Sequence, residues 1–201
     1  MELDDLRRVA HYLVIDFEAT CCDQGLVPRA QMEIIEFGAV MVDAATLQVV
    51  DEFACFVQPV RHPRLTPFCI GLTSITQRDV DEALPLATVL ADFRAWLNQY
   101  QDFVFCSWGD YDLKQLQQDC AYHQLSYPIN APHCNLKRAL VERQQLNGKP
   151  GLGDAIRLAG LRFAGTHHRG IDDARNIARL LPFIVGDQVL PTKWERPRKH
   201  R

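Results

Sequence analysis

The sequence lacks any long uninterrupted apolar run. Its apolar stretches, such as residues 34–42, are short, and Glu36 interrupts that one. A helix that crosses a membrane needs roughly 20 consecutive apolar residues. The acidic residues Glu2, Asp4 and Asp5 near the start are also the wrong chemistry for a secretion signal, which begins with positive charge. We therefore expect neither a membrane span nor a signal peptide.

Cysteines in disulfide-like spacing are also missing. The seven cysteines are an odd number, are scattered, and include no C-x-x-C pair. Cys21 and Cys22 are adjacent, a spacing that rarely forms a disulfide. This usage predicts a reduced, cytoplasmic location. Four further cysteines lie in apolar surroundings and are expected to be small core residues, namely Cys55, Cys69, Cys106 and Cys120.

An excess of positive charge is absent too, because the formal net charge is −3. A nucleic-acid ligand would therefore need locally concentrated cations. The basic tail is expected over residues 187–201, and its last part, 191–201, has a single Glu195 against Lys193, Arg196, Arg198, Lys199 and Arg201. We expect a flexible, solvated tail there. The alternative is a nucleic-acid contact, because Trp194 lies among the cations.

Length and composition predict one domain. With 201 residues and 47% hydrophobic content, the chain can bury one substantial core. We expect an N-terminal extension over residues 1–10 and the folded domain over residues 11–186.

The pattern of apolar residues predicts an α/β layer fold with a mixed sheet. The turn at 43–46 makes the second and third strands antiparallel neighbours. Pro59, Pro63 and Pro67 predict an irregular connection after them. The predicted strands cover 11–18, 33–43, 49–57 and 103–107, and the predicted helices cover 86–100, 113–123, 136–145, 152–161 and 171–183.

Two carboxylates end the first predicted strand, which reads Y-L-V-I-D-F-E-A-T. Asp16 and Glu18 are two residues apart, so a strand points both side chains to one face. Such close like charges are costly to desolvate unless a divalent cation lies between them, and oxygen ligands suit Mg²⁺ or Mn²⁺. The alternative is a polar strand end in which Asp16 caps a turn.

A second acidic cluster lies where a buried strand gives way to a helix, in S-W-G-D-Y-D-L-K-Q-L. Capping of the helix amides explains either Asp110 or Asp112. Asp112 has Leu113 and Leu116 at its +1 and +4 positions. These leucines define a buried stripe, which would orient Asp112 towards the end of the sheet.

The third cluster, T-H-H-R-G-I-D-D-A-R-N-I-A, places His168 five residues before Asp173. Capping by the aspartate and an ordinary loop histidine are the alternative interpretation. A histidine beside a carboxylate at a helix start also suits a general base next to a metal ligand.

Taken together, the order D-x-E, then D, then H-x₄-D resembles the DEDDh family of 3′→5′ exonucleases over residues 11–184. The strings E-I-I-E-F-G-A-V, F-C-I-G-L-T-S-I-T-Q and H-R-G-I-D-D-A-R-N-I-A look like its Eri-type branch, which includes histone-mRNA and small-RNA 3′ exonucleases and KapD-like relatives. The resemblance implies a ribonuclease H-like three-layer α/β fold. Its central mixed sheet would have five strands, the second of them antiparallel, with helices on both sides.

The resemblance also implies the site. His168 would be the general base, with His167 as its rival, and Asp110 is the rival of Asp112. Two Mg²⁺ ions, for which Mn²⁺ would substitute, would be held by the four carboxylates Asp16, Glu18, Asp112 and Asp173.

A terminal nucleotide would lie near one group of residues by the same resemblance, and each of them is alternatively a core residue. This group comprises Phe17, Ala19, Thr20, Leu72 and Ile75. Trp108, beside the third aspartate, is either a stacking platform for a base or a structural aromatic residue.

The implied function is metal-dependent 3′→5′ exonucleolytic cleavage, with single-stranded RNA 3′ ends favoured and nucleoside 5′-monophosphates released. Neutral His168 would accept a proton from the attacking water. One alternative is a DNA exonuclease of repair or proofreading. Another is a non-catalytic nucleic-acid-binding module, which a missing carboxylate or histidine would favour, whereas here each position is filled.

Overall fold

The computed structural model describes residues 6–192 and 194 and shows a mixed sheet between two layers of helices. The strands are β1 (His11–Ala19), β2 (Ile34–Asp43), β3 (Val49–Gln58), β4 (Leu84–Pro85), β5 (Phe103–Ser107) and β6 (His133–Asn135). Their order in the sheet is β4-β3-β2-β1-β5-β6. Strand β2 is antiparallel to β1 and β3, while β5 is parallel to β1 and β6, and β4 is parallel to β3.

The antiparallel second strand is confirmed, and the expected count of five strands is wrong, because the sheet has six. Strands β4 and β6 contain only two and three residues. A strand this short shows no alternation that could distinguish it from a loop. Both lie at the edges of the sheet, so the central part of the predicted fold is unaffected.

Within the described residues, a short 3-10 helix (Arg29–Gln31) follows β1, and eight α-helices pack around the sheet. They are α1 (Pro67–Thr73), α2 (Gln77–Asp81), α3 (Leu86–Leu97), α4 (Tyr111–Tyr122), α5 (Leu136–Arg143), α6 (Leu152–Leu158), α7 (Gly170–Ala178) and α8 (Leu181–Ile184). None of these helices has the length and apolar character that crossing a membrane requires.

Strand β1 shows how the two layers form. Val14 packs into one apolar cluster, together with α5, α6, α7 and α8. Its neighbours Leu13 and Ile15 point to the other face, into a cluster that contains α3 and Leu116 of α4. All three β1 residues are fully buried. Since successive side chains of a strand point to opposite faces, β1 is the centre of both cores, and the three-layer fold is confirmed.

Two prolines lie in the first turns of helices, at positions where the sequence predicts other structure. Pro67 begins α1 instead of breaking the chain, and Thr66 caps this helix by accepting a hydrogen bond from the Cys69 amide. The helix expected over 171–183 is two helices, and Pro182 lies in the first turn of the second one. Proline lacks an amide hydrogen, so it is tolerated in a first turn but not within a continuous helix.

Two glycines bring the start of α7 directly against the sheet. A Cβ atom on Gly38 would lie 2.2 Å from the carbonyl carbon of Gly170, and one on Gly170 would lie 2.7 Å from the Asp16 carbonyl oxygen. No side chain fits at either position without moving backbone. The close contact therefore fixes the first turn of α7 beside Asp16.

Most of the predicted basic tail lies outside the described residues, including all five of its cations. Trp194 is described, and it is half-buried. A Cβ atom on Gly148 would lie 2.5 Å from its indole nitrogen, so this ring packs against the loop after α5. The limits of the extension, domain and tail remain predictions.

Candidate active site

The carboxylates of β1 and α7 converge at one end of the sheet. Asp16 and Glu18 lie opposite Gly38 and Glu36 of β2. Asp173 lies in the first turn of α7. One carboxylate oxygen from each of Asp16, Glu18 and Asp173 lies within 4.8 Å of the other two. The strand spacing and the packing of α7 thus bring three acidic groups together.

Asp173 is 4% exposed and only partly satisfied by hydrogen bonds. Its Oδ2 accepts a hydrogen bond from the His168 amide at 3.3 Å. Its Oδ1 is buried without a partner among the described residues. A buried polar atom without a partner is costly. An added cation at this position would supply the missing interaction.

Asp112, and not Asp110, lies at this site. Asp112 is 3% exposed, and its Oδ1 accepts a hydrogen bond from the Phe17 amide of β1 at 3.0 Å. Leu116, one turn further along α4, is fully buried and anchors this helix face. Asp110 is exposed, and its Oδ1 accepts a hydrogen bond from the Asn135 amide group at 3.0 Å.

Burial raises the pKa of all four carboxyl groups, and repulsion by neighbouring carboxylates adds to the rise at Asp16, Glu18 and Asp173. Burial raises the pKa of Asp16 well above its ordinary value, and the charges of Asp112 and Asp173 add to the effect. Burial likewise raises the pKa of Glu18 to about 9 and that of Asp173 to about 7. Asp112 is raised by burial to a pKa of about 6, and the Phe17 amide opposes the shift.

This set of donors fits a divalent metal ion. It consists of carboxylate oxygens, which hard cations such as Mg²⁺ and Mn²⁺ prefer. Its four carboxyl groups lie too close together to be all ionised without a compensating positive charge. Oδ1 of Asp173 is also available as a metal ligand, because it has no hydrogen-bond partner among the described residues.

Both histidines of the third cluster lie at the site. Their rings are 4.1 Å apart, and each can offer a ring nitrogen within 4.8 Å of Asp173. His168 has a φ of 63°, a left-handed conformation that is uncommon outside glycine and often occurs at functional sites. It is half-buried, whereas His167 is exposed. Burial and the neighbouring His167 lower the pKa of His168.

An ion pair between Arg169 and the buried Glu36 holds the loop that carries His167 and His168, here called the histidine loop, against the sheet, and no sequence motif predicted it. The Arg169 guanidinium donates to both carboxylate oxygens of Glu36, with Nε 3.1 Å from Oε2 and a terminal nitrogen 3.1 Å from Oε1. The Gly170 amide donates to Oε2 at 2.8 Å. The guanidinium also lies 5.2 Å from the ring centroid of Phe56. A charge inside the apolar run of β2 was the available signal, because a buried charge requires a partner.

The acidic groups line a cavity of about 390 Å³. Of the nucleotide-contact candidates, Phe17, Ala19, Leu72 and Trp108 line it. The Phe17 ring is 3% exposed and lies 4.5 Å from the Phe37 ring, so it mainly supports the core. The cavity is also lined by Cys21, Met32 and Tyr111, which the sequence patterns did not single out.

The structure does not bring Thr20 and Ile75 to this cavity. Thr20 is 2% exposed, and its hydroxyl oxygen accepts a hydrogen bond from the Glu33 amide at 2.9 Å. Ile75 is fully buried in a small apolar cluster with Ile35 and Val80. Both side chains therefore stabilise the surroundings of the site.

Sequence comparisons relate the chain to a known family. The exonuclease family RNase_T matches residues 13–181. ERI1 exoribonuclease 2 of Homo sapiens is 35% identical over 198 residues, which cover 88% of this chain and 28% of that protein. ERI1 exoribonuclease 3 of Mus musculus is 37% identical over 191 residues, which cover 89% of this chain and 55% of that protein. The chain thus spans between about a quarter and about half of these relatives.

A solved structure is similar over almost the whole chain. The nuclease domain of 3'hExo, a DEDDh family member bound to rAMP, matches with a TM-score of 0.80 and 29% sequence identity. The match covers 93% of this chain and 98% of that domain. Family match, sequence relatives and structural relative agree, so this chain belongs to the exonuclease family, in its DEDDh, Eri-type branch.

Proposed function

We propose that this protein is a metal-dependent 3′→5′ exonuclease that removes nucleoside 5′-monophosphates from single-stranded RNA 3′ ends. The observation that carries the proposal is the open cavity that is lined by Asp16, Glu18, Asp112 and Asp173 together with two histidines. The names of the exoribonuclease relatives and the rAMP bound to the 3'hExo nuclease domain support RNA as the substrate.

The four carboxylates would hold the divalent ions. Asp16, Glu18 and Asp173 form the tight oxygen cluster, and Asp112 completes the lining from α4. Two ions, with Mg²⁺ preferred and Mn²⁺ as a substitute, account for an acidic set of this size. When bound, they would offset the carboxylate charge and stabilise the negative charge that develops on the reacting phosphate.

His168 would remove the proton from the attacking water. Its lowered pKa keeps the ring neutral at pH 7, and the neutral ring has a free nitrogen that accepts a proton. The hydrogen bond from its backbone amide to Asp173 keeps this residue beside the carboxylates. Turnover is therefore expected to rise with pH through the pKa of His168.

The apolar part of the cavity would hold the terminal nucleotide. Ala19 and Leu72 line it next to the carboxylates, and Leu72 is 37% exposed, which leaves it free for contact with a base. Trp108 closes another side of the cavity. A terminal base held there would lie beside the reacting phosphate, and its identity would not be read.

Digestion of 5′-labelled single-stranded RNA, with DNA of matched sequence as the comparison, tests the proposal. We expect a ladder shortened from the 3′ end with Mg²⁺ or Mn²⁺, no cleavage with EDTA, and faster digestion of RNA. Asp16→Asn is the matched inactive variant. Cleavage that persists in EDTA or in Asp16→Asn would contradict the metal site, and faster digestion of DNA would contradict the RNA preference.

A further inference from the structure

A second, larger groove opens beside the catalytic cavity. Its volume is about 740 Å³, against about 390 Å³ for the catalytic cavity. We call it the flanking groove. It lies between α6 and the histidine loop and is lined by Leu152, Arg157, Leu161, Arg162, Phe163 and His167 among others. The proposed function leaves this groove without a role.

The two spaces adjoin each other. Gly151, Leu152 and His167 line both of them. A ligand in the catalytic cavity that extends past His167, which is exposed, would therefore reach the flanking groove. For a nucleic-acid strand whose last nucleotide lies at the carboxylates, the preceding nucleotides must leave through an opening of this kind.

Aromatic rings run from the catalytic residues into the groove. The rings of His168 and His167 are 4.1 Å apart. The ring of His167 lies 5.1 Å from that of Phe163, at an interplanar angle of 75°. Phe163 is half-buried and His167 is exposed, so both offer ring surface to a ligand. Stacking on such a ring strengthens the binding of a base by roughly 5- to 150-fold, whatever the base.

The charge of the groove suits a phosphate backbone. Arg157 forms a salt bridge with Asp154, which offsets its charge. Arg162 is exposed, and among the described residues no carboxylate lies within 4.0 Å of its guanidinium. Its backbone carbonyl accepts a hydrogen bond from the Arg179 guanidinium at 2.9 Å, so the segment that carries it is anchored. This anchored cation is available to a phosphate.

We propose that the flanking groove binds the nucleotides on the 5′ side of the scissile bond of a single-stranded RNA. Phe163 stacks on a base and Arg162 contacts a phosphate, so the groove grips the strand without reading its sequence. This proposal rests on the proposed function, because it takes the terminal nucleotide to lie at the carboxylates.

The test compares two substrates that differ in the presence of upstream nucleotides. One is a single-stranded RNA oligonucleotide. The other is the p-nitrophenyl ester of uridine 5′-monophosphate, in which p-nitrophenolate is the leaving group and takes the place of all the upstream nucleotides. Phe163→Ala and Arg162→Gln are each expected to raise KM for the oligonucleotide at least roughly fivefold with kcat nearly unchanged. The hydrolysis of the ester should differ from that of the parent by less than this factor.

Two further variants separate stacking and charge from damage to the fold. Phe163→Trp should keep the KM of the parent, because tryptophan retains a ring for stacking. Arg8→Ala is the matched control, since Arg8 is an exposed arginine just before β1, at the opposite end of that strand from Glu18. Arg162→Gln should also reduce the slope of log affinity against log salt by about 0.7, the value for one phosphate contact on a single strand.

The outcomes distinguish this proposal from the proposed function. An unchanged KM for the oligonucleotide in both variants overturns the proposal that the groove binds RNA. An equal loss of activity on the ester and on the oligonucleotide also overturns it, because the groove residues would then only support the catalytic residues. If the parent cleaves neither substrate with Mg²⁺ or Mn²⁺, the proposed function fails. Fluorescence anisotropy with labelled RNA then tests whether the groove binds RNA. Unaltered affinity in Phe163→Ala and Arg162→Gln overturns the groove proposal.

Discussion

At the scale of single residues, the two neighbouring aspartates at the start of α4 have different surroundings. Asp112 is buried against the Phe17 amide, whereas Asp110 is exposed and bonded to Asn135. We expect Asp112→Asn to lower kcat by roughly a hundredfold or more, because a charged group of the reaction site is lost. Asp110→Asn should stay within about threefold of the parent, a change smaller than the loss of a charged site group would cause. Comparable losses in both variants, measured by single-turnover RNA cleavage, would contradict this assignment.

The choice between these aspartates was accessible from the sequence because the following leucines define a helix face. Leu116 is fully buried, so the helix can present Asp112 to the cavity. The choice between His167 and His168 depends instead on loop conformation. Both rings reach the site. His168 differs from His167 by its positive φ, its greater burial and the hydrogen bond from its backbone amide to Asp173. A positive φ at a histidine follows from tertiary contacts that local patterns do not encode.

The acidic cluster also predicts how the metal-free protein responds to pH. Burial raises the pKa of Glu18 from 4.5 to about 9, so the folded state favours the protonated form. This contribution to stability is complete below pH 4.5 and is lost as the pH rises towards 9. In EDTA, the melting temperature should therefore fall over this range.

Removal of one charge from the cluster should stabilise the metal-free protein, because it relieves repulsion between the carboxylates. Asp16→Asn should melt about 2–4 °C higher than the parent in EDTA at neutral pH, the shift expected for about 1 kcal/mol in a chain of this size.

Added Mg²⁺ or Mn²⁺ should reverse that ranking. A metal ion that binds the folded state stabilises it more the more tightly it binds, and Asp16→Asn has lost one of the carboxylates that would hold it. The parent should then melt higher than the variant. A parent whose melting temperature in EDTA is independent of pH, with no response to either cation, would contradict the assignment of a repulsive, metal-binding cluster.

At the scale of elements, the pair between Glu36 of β2 and Arg169 ties α7 to the sheet. The Glu36 carboxylate is 3% exposed and the Arg169 side chain 28%. Arg169→Ala leaves a buried carboxylate with no cation, so we expect it to lower the free energy of unfolding by roughly 3 kcal/mol. Glu36→Gln should cost less, because the partly exposed arginine can turn to water. Urea unfolding of the two variants measures this asymmetry.

A surface pair provides the control for that comparison. Arg78 and Glu82 lie one turn apart, with 82% and 64% of their side chains exposed. Arg78→Ala should change the free energy of unfolding by less than about 1 kcal/mol. Equal costs for Arg169→Ala and Arg78→Ala would show that the Glu36 pair adds nothing beyond a solvated contact.

The helices and strands of the fold could be predicted from the sequence only in part. Strands β1 and β2 and helix α3 have clear apolar periods, and the structure has them close to the expected bounds. The connection after β3 contains α1 and α2, which were not expected. The signals were present as caps, because Thr66 precedes Pro67 and Thr76 forms a capping box with Asp79. Helices this short depend on such caps and on packing, since their own periodicity covers barely two turns.

At the scale of the whole molecule, the order of the central strands follows from the connections between them. The short turn between β2 and β3 requires an antiparallel pair, and the long connection through α3 allows β5 to lie parallel to β1. The edges of the sheet could not be predicted in this way. Strand β6 pairs with β5 through only three residues, and tertiary contacts rather than local preference decide such a pairing.

The net charge of the molecule leads to the last prediction. Removal of residues 193–201 takes away five Lys and Arg cations and one carboxylate from a chain of net charge −3. We expect the slope of RNA affinity against salt to stay the same, because a solvated tail makes no fixed phosphate contact. The melting temperature should fall slightly, since the contact between Trp194 and Gly148 is lost. Trp194→Ala in the full chain is the control, because it removes that contact and keeps every cation. If truncation flattens the salt slope while Trp194→Ala does not, the cations bind the phosphate backbone and the tail is part of the RNA-binding surface.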